Sequence, residues 1–368
     1  MIPLRTYLLV LESSPKAAFA ALWASVRGLR VRARNIISAA AYQNPDYYPL
    51  WTAAIEPGKV QTYCSASPHV ATMPPVIAFV FGATNGSVED AARTVASIRT
   101  AFDGAVTIYC DVEGAAARLN CLELPSGNFG ELLNDPAIAH PEAWLLPVIA
   151  GDAIAPHAGK AVARAFAQSP DVAIVYWDED RIDGRRRYDP WLKPDWDELL
   201  FLGREFLTGA GMFKASALFA ANDDHRDLVI APQTISQAVI TLVSRTQGNP
   251  VAFHIPLVLS HRQAGSVFAT AAERRAALEA VWPEPIQLNE IAGLPGTLRP
   301  SFMAGACLPK VSILIPTRNR HELLRVCMTG ISRLEYGGDM EIIIIDNESD
   351  DPAGLDYLAQ LERDGGIG

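Results

Sequence analysis

Two short polar stretches follow apolar runs near the carboxyl end of the sequence, and their residue types suit nucleotide binding. The run VSILIP (311–316) leads into TRNR, and the run MEIIIID (340–346) leads into NESDD. A segment with helical spacing of apolar residues separates the runs, which predicts strand, turn, helix and strand. Because the carboxyl ends of parallel strands share one edge of a sheet, the turn at Thr317 should lie close to Asp346. A carboxylate there can accept hydrogen bonds from ribose hydroxyls or a base edge.

A second interpretation of Asp346, that it only caps a turn, stays open. The glycine patterns of dinucleotide sites and of P-loops, GxGxxG and GxxxxGK[ST], do not occur, which disfavours both kinds of phosphate site. In the helix, Asn319 is predicted to be the N-cap, with Glu322 reaching back to it. The predicted buried stripe consists of Leu324, Cys327, Met328, Ile331 and Leu334.

The same layout occurs about 235 residues earlier in the chain. PPVIAFVFGATNG (74–86) predicts a buried strand ending in turn residues, and AVTIYCD (105–111) predicts a second strand closed by Asp111. Between them, SVEDAARTVASIRTAF (87–102) has helical periodicity, with Ser87 as the predicted N-cap. The repeated layout suggests a domain duplication.

Strands and helices continue to alternate, which predicts an α/β fold with a mostly parallel sheet flanked by helices. Further helices are predicted at 157–170 and 269–282, and further strands at 171–180 and 251–262. Residues 42–60 are predicted to be an ordered loop or a docking segment, and the Gly- and Pro-rich residues 290–309 a linker. The predicted parts are a helical and irregular extension (1–72), a first α/β domain (73–262), a helix with a linker (263–308) and a partial second domain (309–368).

Composition excludes several classes of protein. The formal net charge of −10 argues against general nucleic-acid binding. Five scattered cysteines without a CxxC pair favour a reducing cytoplasmic setting. The segment AAFAALWASVRGLRVRARN (17–35) mixes apolar residues with arginines. Two interpretations are open: a basic amphipathic helix lying on the inner membrane surface, or a helix packed on its own domain with solvated arginines.

Residues 311–351 strongly resemble the opening of family 2 glycosyltransferases, which have the GT-A fold. The resemblance rests on Pro316, Thr317, Arg318 and Asn319, and on the apolar strand that runs into Asp346, Asn347, Glu348, Ser349 and Asp350. In that family this region binds the nucleotide of a sugar donor. The resemblance therefore implies a nucleotide-sugar donor as partner, with Asp346 at the uracil or ribose and with Thr317 and Asn319 shaping the pocket.

The earlier half resembles bacterial, rhamnosyltransferase-like members of the same family, which often carry two such domains in tandem. The similar segments are VIAGDAIAPHA (148–158), DEDRID (178–183), YDPWLKPDWD (188–197) and FHIPLVLSHR (253–262). By this resemblance, Thr84 and Asp111 would line a diverged donor site. Asp178, Glu179, Asp180 and Trp196 would lie on the acceptor or donor side. The acids have a second interpretation, pairing with Arg181 and Arg185–Arg187. Trp177, Trp191 and Trp196 cluster around these acids and could stack on sugar rings, with core packing as the alternative for each.

Family members use a DxD motif to hold Mg²⁺ or Mn²⁺, which neutralises the diphosphate leaving group. Here Ile149, Ala150 and Gly151 stand where acids are expected, so only Asp152 of a degenerate metal site remains. Candidates for the base that deprotonates the acceptor are Asp224 and Asp227, with solvated loop residues as the alternative.

The resemblance implies a glycosyltransferase that moves a sugar from a nucleotide donor to a glycan or lipid-linked acceptor in cell-surface polysaccharide synthesis. Because the chain stops at Gly368, the second domain is expected to be truncated before its metal and acceptor sites. The alternative is a non-catalytic GT-like module that binds nucleotide sugar, glycan or a partner protein.

Overall fold

The computed structural model describes residues 4–65, 73–82, 86–103, 106–124, 128–132, 136, 138–223, 227–246, 252–283, 286–302 and 308–364. The chain forms two compact units, Met1–Ser301 and Phe302–Gly368, called here the first and second units. Helices flank a large sheet in the first unit, which confirms the predicted α/β class. None of the described helices is long and apolar enough to cross a membrane.

The first unit begins with five helices. They are α1 (Leu4–Ser13), α2 (Pro15–Val26), α3 (Arg30–Tyr42), α4 (Tyr47–Ala54) and α5 (Glu56–Ser65). The prediction of an ordered loop at 42–60 is therefore wrong over most of its length. Pro49 and Pro57 suggested a loop, yet both lie in the first turn of a helix. Proline is tolerated there because those backbone N–H groups have no partner within the helix.

Nine strands form one sheet within the described residues, in the order β3-β2-β1-β4-β8-β6-β9-β5, with β7 paired to β6. They are β1 (Val76–Phe81), β2 (Val106–Cys110), β3 (Leu122–Glu123), β4 (Trp144–Ile149), β5 (Ala153–Ile154), β6 (Ile174–Asp183), β7 (Arg186–Trp191), β8 (Gly211–Lys214) and β9 (Ala252–Arg262). The strands β3, β2, β1 and β4 are parallel. Because β8 runs antiparallel between β4 and β6, these two strands point in the same direction.

Both faces of this sheet are covered. All six residues of β1 are buried, and alternate side chains enter two different cores. Ile77, Phe79 and Phe81 belong to one core, whereas Val76 and Val80 belong to the other. A strand of a parallel sheet with helices on both faces is expected to be apolar throughout, as this one is.

Where the sequence predicts helices beside the sheet, at 87–102, 157–170 and 269–282, the structure has helices. The helices around the sheet are α6 (Val88–Ala101), α7 (Ala115–Leu119), α8 (Phe129–Leu132), α9 (Ala158–Gln168), α10 (Glu198–Gly203), α11 (Ala215–Ala221), α12 (Pro232–Arg245) and α13 (Ala271–Val281). Ser87 caps α6 and forms a capping box with Asp90, which confirms the predicted N-cap. Two further strands, β10 (Ile286–Glu290) and β11 (Leu298–Phe302), pair with each other, so part of the predicted linker at 290–309 is a strand, whereas residues 291–297 form turns.

The second unit contains β12 (Val311–Thr317), α14 (His321–Ile331), β13 (Met340–Asp346) and α15 (Pro352–Arg363). The predicted strand, helix and strand are confirmed, and the two strands pair in parallel. The predicted buried stripe of α14 is only partly present: Leu324 is buried and Met328 and Ile331 are half-buried, but Cys327 and Leu334 are exposed. Among the described residues, the sheet of this unit has two strands, too small a layer to cover the stripe.

Candidate functional site

The carboxyl ends of β1, β2, β4, β6 and β9 share one edge of the large sheet. At this edge the backbone N–H of Gly82 donates to Asp111 Oδ1 at 2.5 Å, which joins the ends of β1 and β2. Asp111 thus lies at the carboxyl edge of the sheet, where the donor site of this unit was predicted, and its side chain is exposed. Thr84, predicted beside it, lies outside the described residues.

Asp152 follows β4 at the same edge, and its carboxylate is held by the segment after β9. Oδ1 accepts from the backbone N–H of Gln263 at 2.8 Å, and Oδ2 accepts from Ser266 Oγ at 2.7 Å. Arg262 Nε lies 3.5 Å from Oδ2. Burial raises the pKa of Asp152, and Arg262 partly offsets that rise. The one remaining acid of the DxD position thus has internal partners on both oxygens.

Glu179, the middle acid of the DED segment on β6, lies between two buried cations. Its Oε2 is 3.1 Å from Lys193 Nζ, and its Oε1 is 3.3 Å from an Arg262 guanidinium nitrogen. Burial alone would raise the pKa of this carboxyl, but Lys193 and Arg262 lower it to about 2. Arg262 therefore links the DED segment to Asp152.

The two flanking acids are also paired. Asp178 Oδ1 lies 2.9 Å from His254 Nε2 and accepts from the backbone N–H of Lys193 at 2.8 Å. Asp180 Oδ1 lies 2.7 Å from His261 Nδ1. We call Asp152, Asp178, Glu179, Asp180, Lys193, His254, His261 and Arg262 the buried charge cluster.

Helices α4 and α5 reach this cluster through Arg187 and through Tyr48. Arg187 on β7 lies 2.5 Å from Asp180 Oδ2 and 2.6 Å from Glu56 Oε2. The Tyr48 hydroxyl donates to Asp180 Oδ2 at 2.6 Å, and burial is the main cause that raises its pKa. The pairing of the DED acids with a nearby arginine, left open by the sequence, is therefore present for Asp180 and Arg187. The sequence pattern does not reveal Lys193 and Arg262 as partners of Glu179, because they are 14 and 83 residues away along the chain.

The buried charge cluster does not fit a divalent cation. Mg²⁺ and Mn²⁺ need several oxygen ligands free to point at one position. Here Lys193, Arg262 or backbone N–H groups already occupy the carboxylates of Asp152, Asp178 and Glu179. Across the described ranges, no group of three or more His, Cys, Asp or Glu could hold a metal ion.

An open cleft of about 520 Å³ lies beside Asp152 at the same edge of the sheet. Its polar lining comes from Arg93, Asp183, Tyr188 and Gln263, and Gly151 forms part of its wall. A guanidinium, a phenol, an amide and a carboxylate together can donate to and accept from a ligand rich in hydroxyl groups. This cleft is the candidate binding site of the first unit.

Asp227, one of the two predicted bases, does not line this cleft. Asp224 is outside the described residues, and Asp227 is exposed in the segment between α11 and α12. Asp223 lines a different cavity with His140, a residue that leads into the amino end of β4. Asp152, in contrast, follows the carboxyl end of that strand.

Two tryptophans near the acids, Trp177 and Trp196, pack against other side chains of the protein. Trp196 packs on Phe201 and Phe206, with ring centroids 5.4 and 6.0 Å apart. Trp177 is fully buried, and its indole N–H donates to Ser260 Oγ at 2.8 Å. These contacts favour core packing, the alternative that the sequence left open, over stacking on a sugar ring.

In the second unit, the ends of the two strands lie side by side. Thr317 is directly opposite Asp346 in the parallel register, and the backbone N–H of Asn347 donates to Thr317 O at 2.9 Å. Asp346 accepts from Ser349 Oγ at 2.5 Å, so it does close a turn. It is nevertheless exposed, as are Pro316, Arg318 and Asn347.

Asn319 does not cap the helix as predicted. Arg320 takes the N-cap position of α14, and Asn319 has a left-handed backbone with φ of 51°. Its side-chain oxygen instead accepts from the backbone N–H groups of Asp350 and Asp351, at 2.8 and 3.0 Å. These hydrogen bonds hold the loop that follows β12 against the loop that follows β13.

Comparisons with known proteins were made for the whole chain. No protein-family model matches it. It is 26% identical over 350 residues to the O-antigen biosynthesis protein RfbC of Myxococcus xanthus, which covers 85% of this chain and 26% of RfbC. It is 28% identical over 259 residues to the uncharacterized protein y4gI of Sinorhizobium fredii (strain NBRC 101917 / NGR234), covering 66% of this chain and 26% of y4gI. The chain thus spans about a quarter of the length of these curated relatives.

Solved structures overlap with it only partly. The crystal structure of S. aureus TarS 1–349 has a TM-score of 0.38 at 12% identity, covering 56% of this chain and 64% of TarS 1–349. The mannosyltransferase PcManGT from Pyrobaculum calidifontis, in complex with GDP-Man and Mn²⁺, has a TM-score of 0.34 at 14% identity, covering 61% of this chain and 66% of that structure. Because both TM-scores are below 0.5, nothing about the ligands or the activity of this chain follows from these two structures.

Proposed function

We propose that this chain belongs to a GT-A glycosyltransferase of family 2 type, which moves a sugar from a nucleotide donor to a glycan or lipid-linked acceptor in cell-surface polysaccharide synthesis. The observation that carries the proposal is the edge where Thr317 pairs with Asp346. Asn319 and Ser349 join the loops that follow the two strands there. Ligands of α/β proteins bind at such carboxyl edges. The similarity to RfbC, an O-antigen biosynthesis protein, supports the process.

The donor site is assigned to the second unit. Asp346 is exposed and keeps lone pairs beyond its bonds to Ser349, so it can accept from ribose or base donors. The exposed residues Pro316, Arg318 and Asn347 surround it. In the first unit we assign Asp111 and the cleft beside Asp152 to ligand binding. We assign Asp178, Glu179 and Asp180 to the interior, where they are buried, and we assign the half-buried Trp196 to packing against Phe201 and Phe206.

Replacing Asp346 with alanine is expected to weaken nucleotide binding about tenfold or more, since a hydrogen bond to a charged group contributes about 1.5–3 kcal/mol. The measurement is calorimetric titration of the full chain with UDP, GDP and dTDP and with their sugar conjugates. Asp339→Ala is the matched control, because Asp339 precedes β13 and so lies at its amino end. Equal affinity in the Asp346→Ala and Asp339→Ala variants would contradict the assignment.

The second candidate function is a GT-like module that binds nucleotide sugar or glycan without turnover. The hydrogen bonds and the arginine that occupy Asp152 favour it for the first unit. Donor hydrolysis and sugar transfer, measured with Mn²⁺ and with EDTA, separate the candidates. Turnover in either condition supports the enzyme, whereas nucleotide binding without turnover in both supports the module.

A further inference from the structure

Helix α2 exposes a row of large apolar side chains. Phe19, Leu22, Trp23 and Val26 have exposed fractions of 64, 59, 65 and 75%. Their spacing of three, four and seven residues places them on one face of the helix. We call these four residues the α2 ridge.

The bundle of α1–α3 does not use this ridge for its own packing. On the other side of α2, Ala21 and Ala24 are buried against a small core that includes Val10, Ala33 and Ile37. The helix therefore has two apolar faces, and only the alanine face is covered. A single exposed leucine needs no explanation, but a row of four large side chains marks an interaction surface.

The sequence around the ridge carries positive charge alone. Residues 13–45 contain five cations and no acid, in a chain whose net charge is −10; the cations are Lys16, Arg27, Arg30, Arg32 and Arg34. Throughout the described residues, no ion pair joins any of the five to a carboxylate. The Arg27 guanidinium lies 5.8 Å from the centre of the Trp23 ring, so charge and ridge are adjacent.

We propose that the α2 ridge and the neighbouring arginines form a docking surface for an anionic lipid bilayer. The helix would lie in the plane of the interface, with Phe19, Leu22 and Val26 at the acyl boundary and Trp23 at the headgroup level. Arg27 and Arg30 follow the ridge directly and would pair with lipid phosphates. A nucleic acid would engage the arginines but leave the aliphatic residues in water.

Sedimentation with lipid vesicles tests this proposal on the full chain, with a readout that does not depend on catalysis. The protein should pellet with vesicles of equal parts phosphatidylcholine and phosphatidylglycerol, and at least about tenfold less with phosphatidylcholine alone. Binding should weaken as salt is raised, because salt screens the arginines. Phe19→Ser/Trp23→Ser should abolish binding, and Arg27→Gln/Arg30→Gln should remove its dependence on anionic lipid.

The matched control is Leu199→Ser, which removes a side chain of similar exposure, 59%, from helix α10. It should bind vesicles like the unmodified protein, and circular dichroism should show that all variants are folded. Absence of binding to the anionic vesicles would overturn the proposal, as would full binding by Phe19→Ser/Trp23→Ser. A second copy of the chain could also cover the ridge, and light scattering measures this from the molar mass in solution. If the unmodified protein is a dimer that does not bind vesicles, and Phe19→Ser/Trp23→Ser is a monomer, the ridge is a protein interface and the proposal is overturned.

Discussion

Replacing Glu179 with glutamine is expected to destabilise the first unit by about 3–5 kcal/mol. The substitution keeps the shape of the side chain but removes the negative charge between Lys193 and Arg262, at 3.1 and 3.3 Å. Both cations are buried, so each would lose its main counter-charge without gaining access to water. Urea unfolding at neutral pH measures the change.

The matched control for this substitution is Glu142→Gln. Glu142 pairs with Lys214 at 3.5 Å, but 61% of its side chain is exposed. Exposed pairs of this kind contribute about 0–1 kcal/mol. If the Glu179→Gln variant fails to fold, Glu179→Leu/Lys193→Met should recover part of the stability, because a buried ion pair is often replaceable by apolar residues. A loss below 1 kcal/mol in Glu179→Gln would show that the cluster is not energetically coupled.

The Glu179 carboxylate also contributes to the loss of folding stability at low pH. Its pKa falls from the ordinary value of 4.5 to about 2 in the folded protein. A lowered pKa means that the folded state favours the ionised form, so this stabilisation is complete above pH 4.5 and is lost as the pH falls towards 2. The unfolding free energy of Glu179→Gln should therefore change less steeply with pH in that window than that of the unmodified protein.

Replacing Arg187 with methionine is expected to cost about 3 kcal/mol and to loosen the attachment of α4 and α5. Arg187 lies between Asp180 and Glu56, at 2.5 and 2.6 Å, so its loss leaves two carboxylates of low exposure without their shared cation. Hydrogen exchange over Tyr47–Ser65 should become faster. Arg187→Lys should be intermediate, since lysine keeps the charge but cannot reproduce the forked contacts.

Arg185→Met is the matched control, because Arg185 is a neighbouring arginine that is exposed. It should leave both the unfolding free energy and the exchange of α4 and α5 unchanged. Unchanged exchange in Arg187→Met would mean that other contacts, such as Tyr48 with Asp180, hold these helices without the arginine.

Much of the local structure could be predicted from the sequence, because it depends on residues that are near in the chain. The buried run at 76–81, the cap at Ser87 and the helix of 88–101 follow from side-chain period and capping. The pairing of Thr317 with Asp346 follows from the geometry of a strand, helix and strand. Where proline suggested a loop, at 42–60, the cue failed because proline is also compatible with the first turn of a helix.

The alternation of strands and helices, and the polar strand ends where ligands are expected, therefore follow from residue types and their spacing. The tertiary structure alone shows that Asp152 and Glu179 share Arg262, because the pairing of β9 with β5 and β6 brings Arg262 beside both acids, across 83 residues of chain in the case of Glu179. It likewise decided that α2 packs its alanine face and leaves Trp23 exposed, since both faces are apolar and the spacing alone could not rank them. Which charges pair, and which face of a helix is buried, depends on which elements meet in space. The spacing of apolar residues along a helix or strand, in contrast, depends only on residues that are near in the chain.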